Sequence, residues 1–169
     1  MLIKPKTILT LGDYYNLPGV RQTLHDFQDG IDWEVSHIAR LLSPFVKYKD
    51  VLIPVPSEND IPTKICIEIM RYRYCSICNA LIFIESHLSN RLYEKKKQGV
   101  SITEDMVFFG SLDNVPNPIN GGRVILVDDV IGTGTTISKC LRIINAYSET
   151  ECDTVLCVAV DYKTYTSYE

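Results

Sequence analysis

One stretch restricts the fold more than any other. Val124-Ile125-Leu126-Val127 is a run of four aliphatic residues with no polar alternation, which predicts a β-strand buried on both faces. Asp128 and Asp129 follow at once, then the turn Val130-Ile131-Gly132-Thr133-Gly134-Thr135-Thr136, then Ile137, Cys140, Leu141 and Ile144 at helical spacing. The residues from Val155 to Val160 supply a further buried strand. Strand, polar glycine turn, amphipathic helix and strand in that order predict an α/β fold with a mainly parallel central sheet flanked by helices. Ligands of such sheets bind beyond the carboxyl ends of the strands, which is where the segment from Asp128 to Thr136 must lie.

The rest of the chain fits that alternation. Pro18 opens a helix with Val20, Leu24 and Phe27 on one face, and a second begins near Asp32 with Val35, Ile38, Ala39, Leu42 and Phe45. Val51-Leu52-Ile53-Pro54-Val55-Pro56 reads as a strand ending in a shaped loop, because its prolines exclude a helix interior. Between Ile61 and Tyr74 the isoleucines suit a strand or a helical stripe; the length and Pro62 near the start favour the helix. Ala80 to Ile84 predicts a buried strand, Met106 to Phe109 a short one, and Ser111 to Gly122 a loop. Ser86 to Gly99, polar and basic, predicts a mobile loop or short helix.

A length of 169 residues suits one domain against a prior of roughly 150. We expect an N-terminal helical part over 1–48 and a binding core over 49–161. A net charge of -4 without a dense basic face argues against nucleic acid as a partner. No apolar window is long enough to span a bilayer, and Pro5, Gly12 and Asp13 interrupt the first residues before a signal-like segment develops. The expectations are no membrane partner and a cytoplasmic location. The six cysteines are too few for a disulfide scaffold and read as reduced core thiols.

The turn after the strand carries the chemistry. Gly132, Gly134 and three threonines offer open backbone N–H groups, hydroxyl donors and the positive end of a helix, the parts of a phosphate cradle. Two carboxylates beside a bound phosphate are costly unless sugar hydroxyls or a divalent cation share the site, so the ligand implied is a phosphorylated sugar. A Walker B strand would need a G-x-x-x-x-G-K-[ST] loop, which the chain lacks. A receiver-type phosphoacceptor strand would not be followed by this cradle.

VILVDDVIGTGTT resembles the phosphoribosyl pyrophosphate (PRPP) motif of type I phosphoribosyltransferases at all of its defining positions. More weakly, HIARLLSPF followed by DVLIPVPSE resembles the competence-associated ComF subgroup. The resemblance implies that Asp128 and Asp129 contact the ribose hydroxyls, directly or through Mg²⁺. It further implies that Val130 and Ile131 belong to the substrate-binding segment and that Gly132, Thr133, Gly134, Thr135 and Thr136 hold the 5-phosphate. Pro56, Ser57 and Glu58 would take the pyrophosphate, with Lys95, Lys96 or Lys97 reaching it from a closing loop. Gly132 stands where some members carry an acid that meets the incoming base. The implied ligands are PRPP or a nucleoside monophosphate, with a protein partner or a second copy left open. The implied activity is transfer of the phosphoribosyl group to a nucleobase or similar nucleophile; the alternative is a non-catalytic PRPP- or nucleotide-sensing module or a partner-bound effector.

Other features have plainer readings. Cys75 and Cys78 have metal-compatible spacing without a second pair. His25, His37 and His87 have no nucleophile at a telling distance in the chain. Tyr162, Tyr165 and Tyr168 are expected in a polar C-terminal tail, and Met1 to Asn16 shows no readable contact pattern.

Overall fold

The computed structural model describes residues 2–16, 22, 32–57, 60–83, 109–111, 115–118 and 121–165. Its elements in order are β1 (Thr7–Asp13), α1 (Asp32–Leu42), a 3₁₀ turn (Ser43–Phe45), β2 (Val51–Pro54), α2 (Ile61–Ile69) and β3 (Ser76–Ile77). There follow β4 (Leu81–Phe83), β5 (Phe109–Ser111), β6 (Val124–Ile131), α3 (Thr135–Tyr147), β7 (Thr154–Val160) and α4 (Tyr162–Tyr165). Five strands form one sheet in the order β1-β7-β6-β2-β3, and every neighbouring pair is parallel. The chain is an α/β protein with helices on both faces of that sheet.

The central strands are buried because both faces are covered. On one side Val124, Leu126, Val155 and Cys157 pack against Ile137, Cys140, Leu141 and Ile144 of α3. On the other, Ile125, Val127, Leu156 and Val158 pack against Val35, Ile38, Ala39 and Leu42 of α1 and against Ile61, Ile65, Cys66 and Ile69 of α2. A fully buried Leu or Ile side chain contributes about 1.5–3 kcal/mol, so these stripes dominate the stability of the layers. The α2 segment, whose isoleucines alternate like a strand, is helical because Ile61, Ile65 and Ile69 share the buried face while Ile67 is exposed.

Several expectations need correction. The first 48 residues, expected to be helical, also contribute β1 at the sheet edge, where Thr7 to Asp13 pair with β7. This strand lacks the apolar density of β6 and is only half-buried, so its pattern was too weak to read. The strand expected at Ala80 to Ile84 does form at Leu81–Phe83, but it pairs antiparallel with β5 outside the main sheet. Cys75 and Cys78 flank the two-residue strand β3. The strand expected over Val124 to Val127 runs on to Ile131, so Asp128 and Asp129 lie inside β6 and not beyond its end. The helix expected from Pro18 lies outside the described residues. The six thiols are free; Cys66, Cys140, Cys152 and Cys157 are buried, whereas Cys75 and Cys78 are half-buried. Burial pushes the Cys152 and Cys157 thiols up to about 12. Among the described residues no helix is long and apolar enough to cross a membrane.

The amino ends of β2 and β6 are pinned by one buried carboxylate. Asp50 accepts the Lys47 N–H at 2.8 Å, the Arg123 N–H at 2.8 Å and the Arg123 Nη2 at 2.7 Å, and the same Nη2 donates to the Phe45 carbonyl at 2.8 Å. Gly122 is required beside this clamp, because a Cβ there would stand 2.2 Å from the Lys49 carbonyl oxygen. The clamp sets Val51 opposite Val124 and so aligns the carboxyl ends of the same two strands. Asp50→Ala would strand a partly buried guanidinium and two backbone N–H groups, and should cost about 3 kcal/mol in urea unfolding. A loss under about 1 kcal/mol would show the clamp to be dispensable.

Candidate active site

The connections place a crevice between β2 and β6. From β2 the chain passes through α2 to β3 on one flank; from β6 it passes through α3 to β7 on the other. The two helices cover opposite faces of the sheet. Adjacent parallel strands whose connections leave in opposite directions define a switch point, and the loops at their carboxyl ends part there to leave a binding crevice. The loop after β2 holds Pro56 and Ser57; the end of β6 holds Asp128 and Asp129, with the turn Gly132–Thr136 beyond. The structure therefore brings Pro56, Ser57 and the whole segment from Asp128 to Thr136 to one edge of the sheet. Glu58 and Lys95, Lys96 and Lys97 lie outside the described residues.

Regular alternation would send the two acids to opposite faces, but it slips here. Val124 and Leu126 face α3, and so does Ile131, which strict alternation would place opposite; Val130 packs on the α1–α2 side. In β7, Cys157 and Val160 likewise share the α3 side although three positions apart, and the ladder still pairs Asp128 with Cys157 and Val130 with Ala159. The strands thus shift together, and the carboxyls of Asp128 and Asp129 come within hydrogen-bonding reach of each other. Asp128 Oδ1 also accepts the Asp129 N–H at 2.9 Å, and Asp129 Oδ1 accepts the Val130 N–H at 2.7 Å.

Burial holds the Asp128 carboxyl well above its usual range, and the negative charge of Asp129 adds to the effect. Burial also raises Asp129, opposed by the Val130 N–H and by the hydrogen bond from Asp128. Two hard oxygen donors brought together in a desolvated site suit a divalent cation or sugar hydroxyls. In the loop after β2, the Ser57 hydroxyl is buried and has no hydrogen-bond partner among the described residues.

The turn between β6 and α3 is partly satisfied from within. Thr133 Oγ1 accepts the Thr135 N–H at 3.3 Å and lies 2.9 Å from Thr135 Oγ1. A threonine oxygen thus sits where an anion oxygen would meet the helix N-terminus. Gly134 caps α3 at φ 81°, the left-handed region, and a Cβ there would lie 2.8 Å from Tyr165 Cε2. Tyr165 was expected in a polar tail; instead it is half-buried against the core cluster at the end of α4. It was missed because a Lys/Thr/Tyr tail carries no apolar period, although Asp161 and Thr164 are an N-cap pattern. Asp161 Oδ1 accepts the Thr164 N–H at 3.1 Å, and its other carboxyl oxygen accepts the Thr164 hydroxyl.

No family model matches this chain, and no curated protein sequence is similar to it. Among solved structures it is similar to a hypoxanthine phosphoribosyltransferase from Staphylococcus aureus in two crystal forms. The tetragonal form gives a TM-score of 0.39 at 10% identity, covering 76% of this chain and 62% of that enzyme. The orthorhombic form gives 0.40 at 12%, covering 76% and 63%. The chain spans less than two thirds of the length of that enzyme.

Two outcomes test this geometry. The acids titrate near 3.8 when unfolded and higher when folded, so between those values the folded chain holds more protons. Stability should therefore fall as pH rises from about 4 through the raised values and then level off. Urea midpoints across that window should show the decline in the parent and lose it in Asp128→Asn/Asp129→Asn; an equal slope in both would place the titration elsewhere. Gly134→Ala should cost about 1–2 kcal/mol from the left-handed φ and the approach to Tyr165, with only the contact part restored by adding Tyr165→Ala.

Proposed function

We propose that this protein binds PRPP with Mg²⁺ and transfers the phosphoribosyl group to a nucleobase or similar nucleophile. The bond from C1 to the pyrophosphate oxygen breaks, the bond from the acceptor to C1 forms, and pyrophosphate leaves. The observation that carries this reading is the pairing of two desolvated carboxyls with a Gly/Thr turn at a helix N-terminus, both at the switch point between β2 and β6.

Asp128 and Asp129 would meet the ribose 2- and 3-hydroxyls directly or through the cation. The N–H groups and hydroxyls of Gly132 to Thr136 would hold the 5-phosphate, and Ser57 with Pro56 would face the pyrophosphate, where the Ser57 hydroxyl gains an acceptor. When bound, Mg²⁺ would neutralise charge between the carboxylates and the diphosphate. Among the described residues no group of three or more His, Cys, Asp or Glu is placed to hold a metal. The ion's remaining oxygen ligands would then come from the substrate and water, as is usual for Mg²⁺. Catalysis here is positioning plus charge stabilisation at an oxocarbenium-like carbon, which does not require an acid at Gly132.

A second reading is a PRPP- or nucleotide-binding module without turnover. It is favoured by Gly132, which has no group to exchange a proton with an incoming base. Calorimetric titration of PRPP with and without Mg²⁺, followed by a pyrophosphate-release assay over a panel of bases, separates the two. We expect Mg²⁺-linked PRPP binding, weakened at least about tenfold in Asp128→Asn/Asp129→Asn, since each hydrogen bond to a charged group contributes about 1.5–3 kcal/mol. Binding without pyrophosphate release from any base would support the second reading, and absence of binding would reject both.

A further inference from the structure

The space above the Gly132–Thr136 turn is filled by two remote parts of the chain. From β1 the N-terminal residues double back along α3, and the Ile3 N–H donates to Ser138 Oγ, in the first turns of that helix, at 2.6 Å. From the other end of the chain, α4 brings the Tyr165 ring down on Gly134, so close that a Cβ there would stand 2.8 Å from Tyr165 Cε2 and 3.2 Å from Cδ2. The Lys4 ammonium lies 5.8 Å from the centroid of the same ring. Leu2, Ile3, Lys4, Pro5, Thr133, Gly134 and Tyr165 enclose a niche of only about 10 Å³. That is barely room for one water.

We propose that this is a resting, closed form, in which Tyr165, backed by the strap Leu2–Pro5, blocks the turn, and that a phosphomonoester is admitted when the ring swings off Gly134. The inference rests on the phosphate-cradle reading given above and adds to it the element that regulates access. The two closing parts are anchored independently of the turn. Asp161 ties α4 to the end of β6 through its N–H, which donates to the Ile131 carbonyl at 2.8 Å, and the Tyr165 N–H donates to the Asp161 carbonyl at 2.9 Å. The backbone of α4 can therefore stay in place while the side chain rotates. In this form the Thr135 N–H is satisfied within the turn by Thr133 Oγ1. A ligand that binds only the open form is weakened by the fraction of molecules that are closed, so loosening the closure tightens apparent binding.

The probe is ribose 5-phosphate, titrated calorimetrically into the parent chain, Tyr165→Ala, Tyr165→Phe and Ile3→Pro, with far-ultraviolet circular dichroism to verify folding. Tyr165→Ala removes the ring, Tyr165→Phe keeps its bulk, and Ile3→Pro removes the donor to Ser138 at an exposed position. We expect Tyr165→Ala and Ile3→Pro to bind more tightly, by about tenfold if about nine-tenths of molecules are closed at rest, and Tyr165→Phe to match the parent. Saturating ribose 5-phosphate should also speed hydrogen exchange at the Ile3 amide of the parent. Should Tyr165→Ala fail to fold, Ile3→Pro and the exchange rate decide. Equal affinities in all folded variants would overturn the closure while leaving the cradle intact, and weaker binding by Tyr165→Ala would make the ring a ligand contact instead of a block. Absence of binding by every variant would reject the cradle reading itself, and the closure with it.

Discussion

The burial of β6 on both faces is the constraint on which the rest of this structure depends. Val124 to Val127 are aliphatic because α3 covers one side of the strand and α1 with α2 the other, and neither layer leaves a wet face. The same two-sided cover surrounds the last turn of the strand, where the residues are acids. Asp128 is therefore buried beside Cys140 and Cys157 and cannot ionise as it would in water. A carboxyl pair placed this way destabilises the fold at neutral pH.

The local geometry shows how that pair is assembled from consecutive residues. Adjacent positions on a regular strand point to opposite faces, yet a coordinated slip in β6 and β7 lets the two carboxyls share a hydrogen bond. At the opposite end of the sheet, Asp50 and Arg123 align β2 with β6, so the loop carrying Ser57 and the strand carrying the acids open at the same level. The site thus depends on a clamp at the far ends of its strands. Its remaining wall is made by Leu2–Pro5 and Tyr165, which come together beside Gly134.

How much of this was legible in sequence follows from the range of the interactions involved. The buried strands at Val51, Val124 and Val155, the stripes of α1 and α3 and the glycine turn are local patterns, set by periodicity and by the steric needs of the backbone. The acids and the turn were readable because their spacing is itself the chemistry: a phosphate cradle takes its donors from consecutive residues at one helix N-terminus. β1 was not readable, because a half-buried edge strand of mixed polarity leaves no clear period. For Leu81 to Phe83 the strand was legible but its partner was not, since antiparallel pairing with β5 is a contact between distant segments.

By itself, then, the sequence determined the fold class, the buried central strands and the position of the segment Asp128 to Thr136 at their carboxyl ends, all of which follow from residues a few positions apart. Only the tertiary structure decided that the Asp128 and Asp129 carboxyls are brought together out of water, that Asp50 binds Arg123 across the bases of two strands, and that Tyr165 and the Leu2–Pro5 strap lie against Gly134. The physical reason is the same in each case. Desolvation, ion pairing and steric closure depend on which distant atoms fill the space around a group, and that is settled when the layers pack.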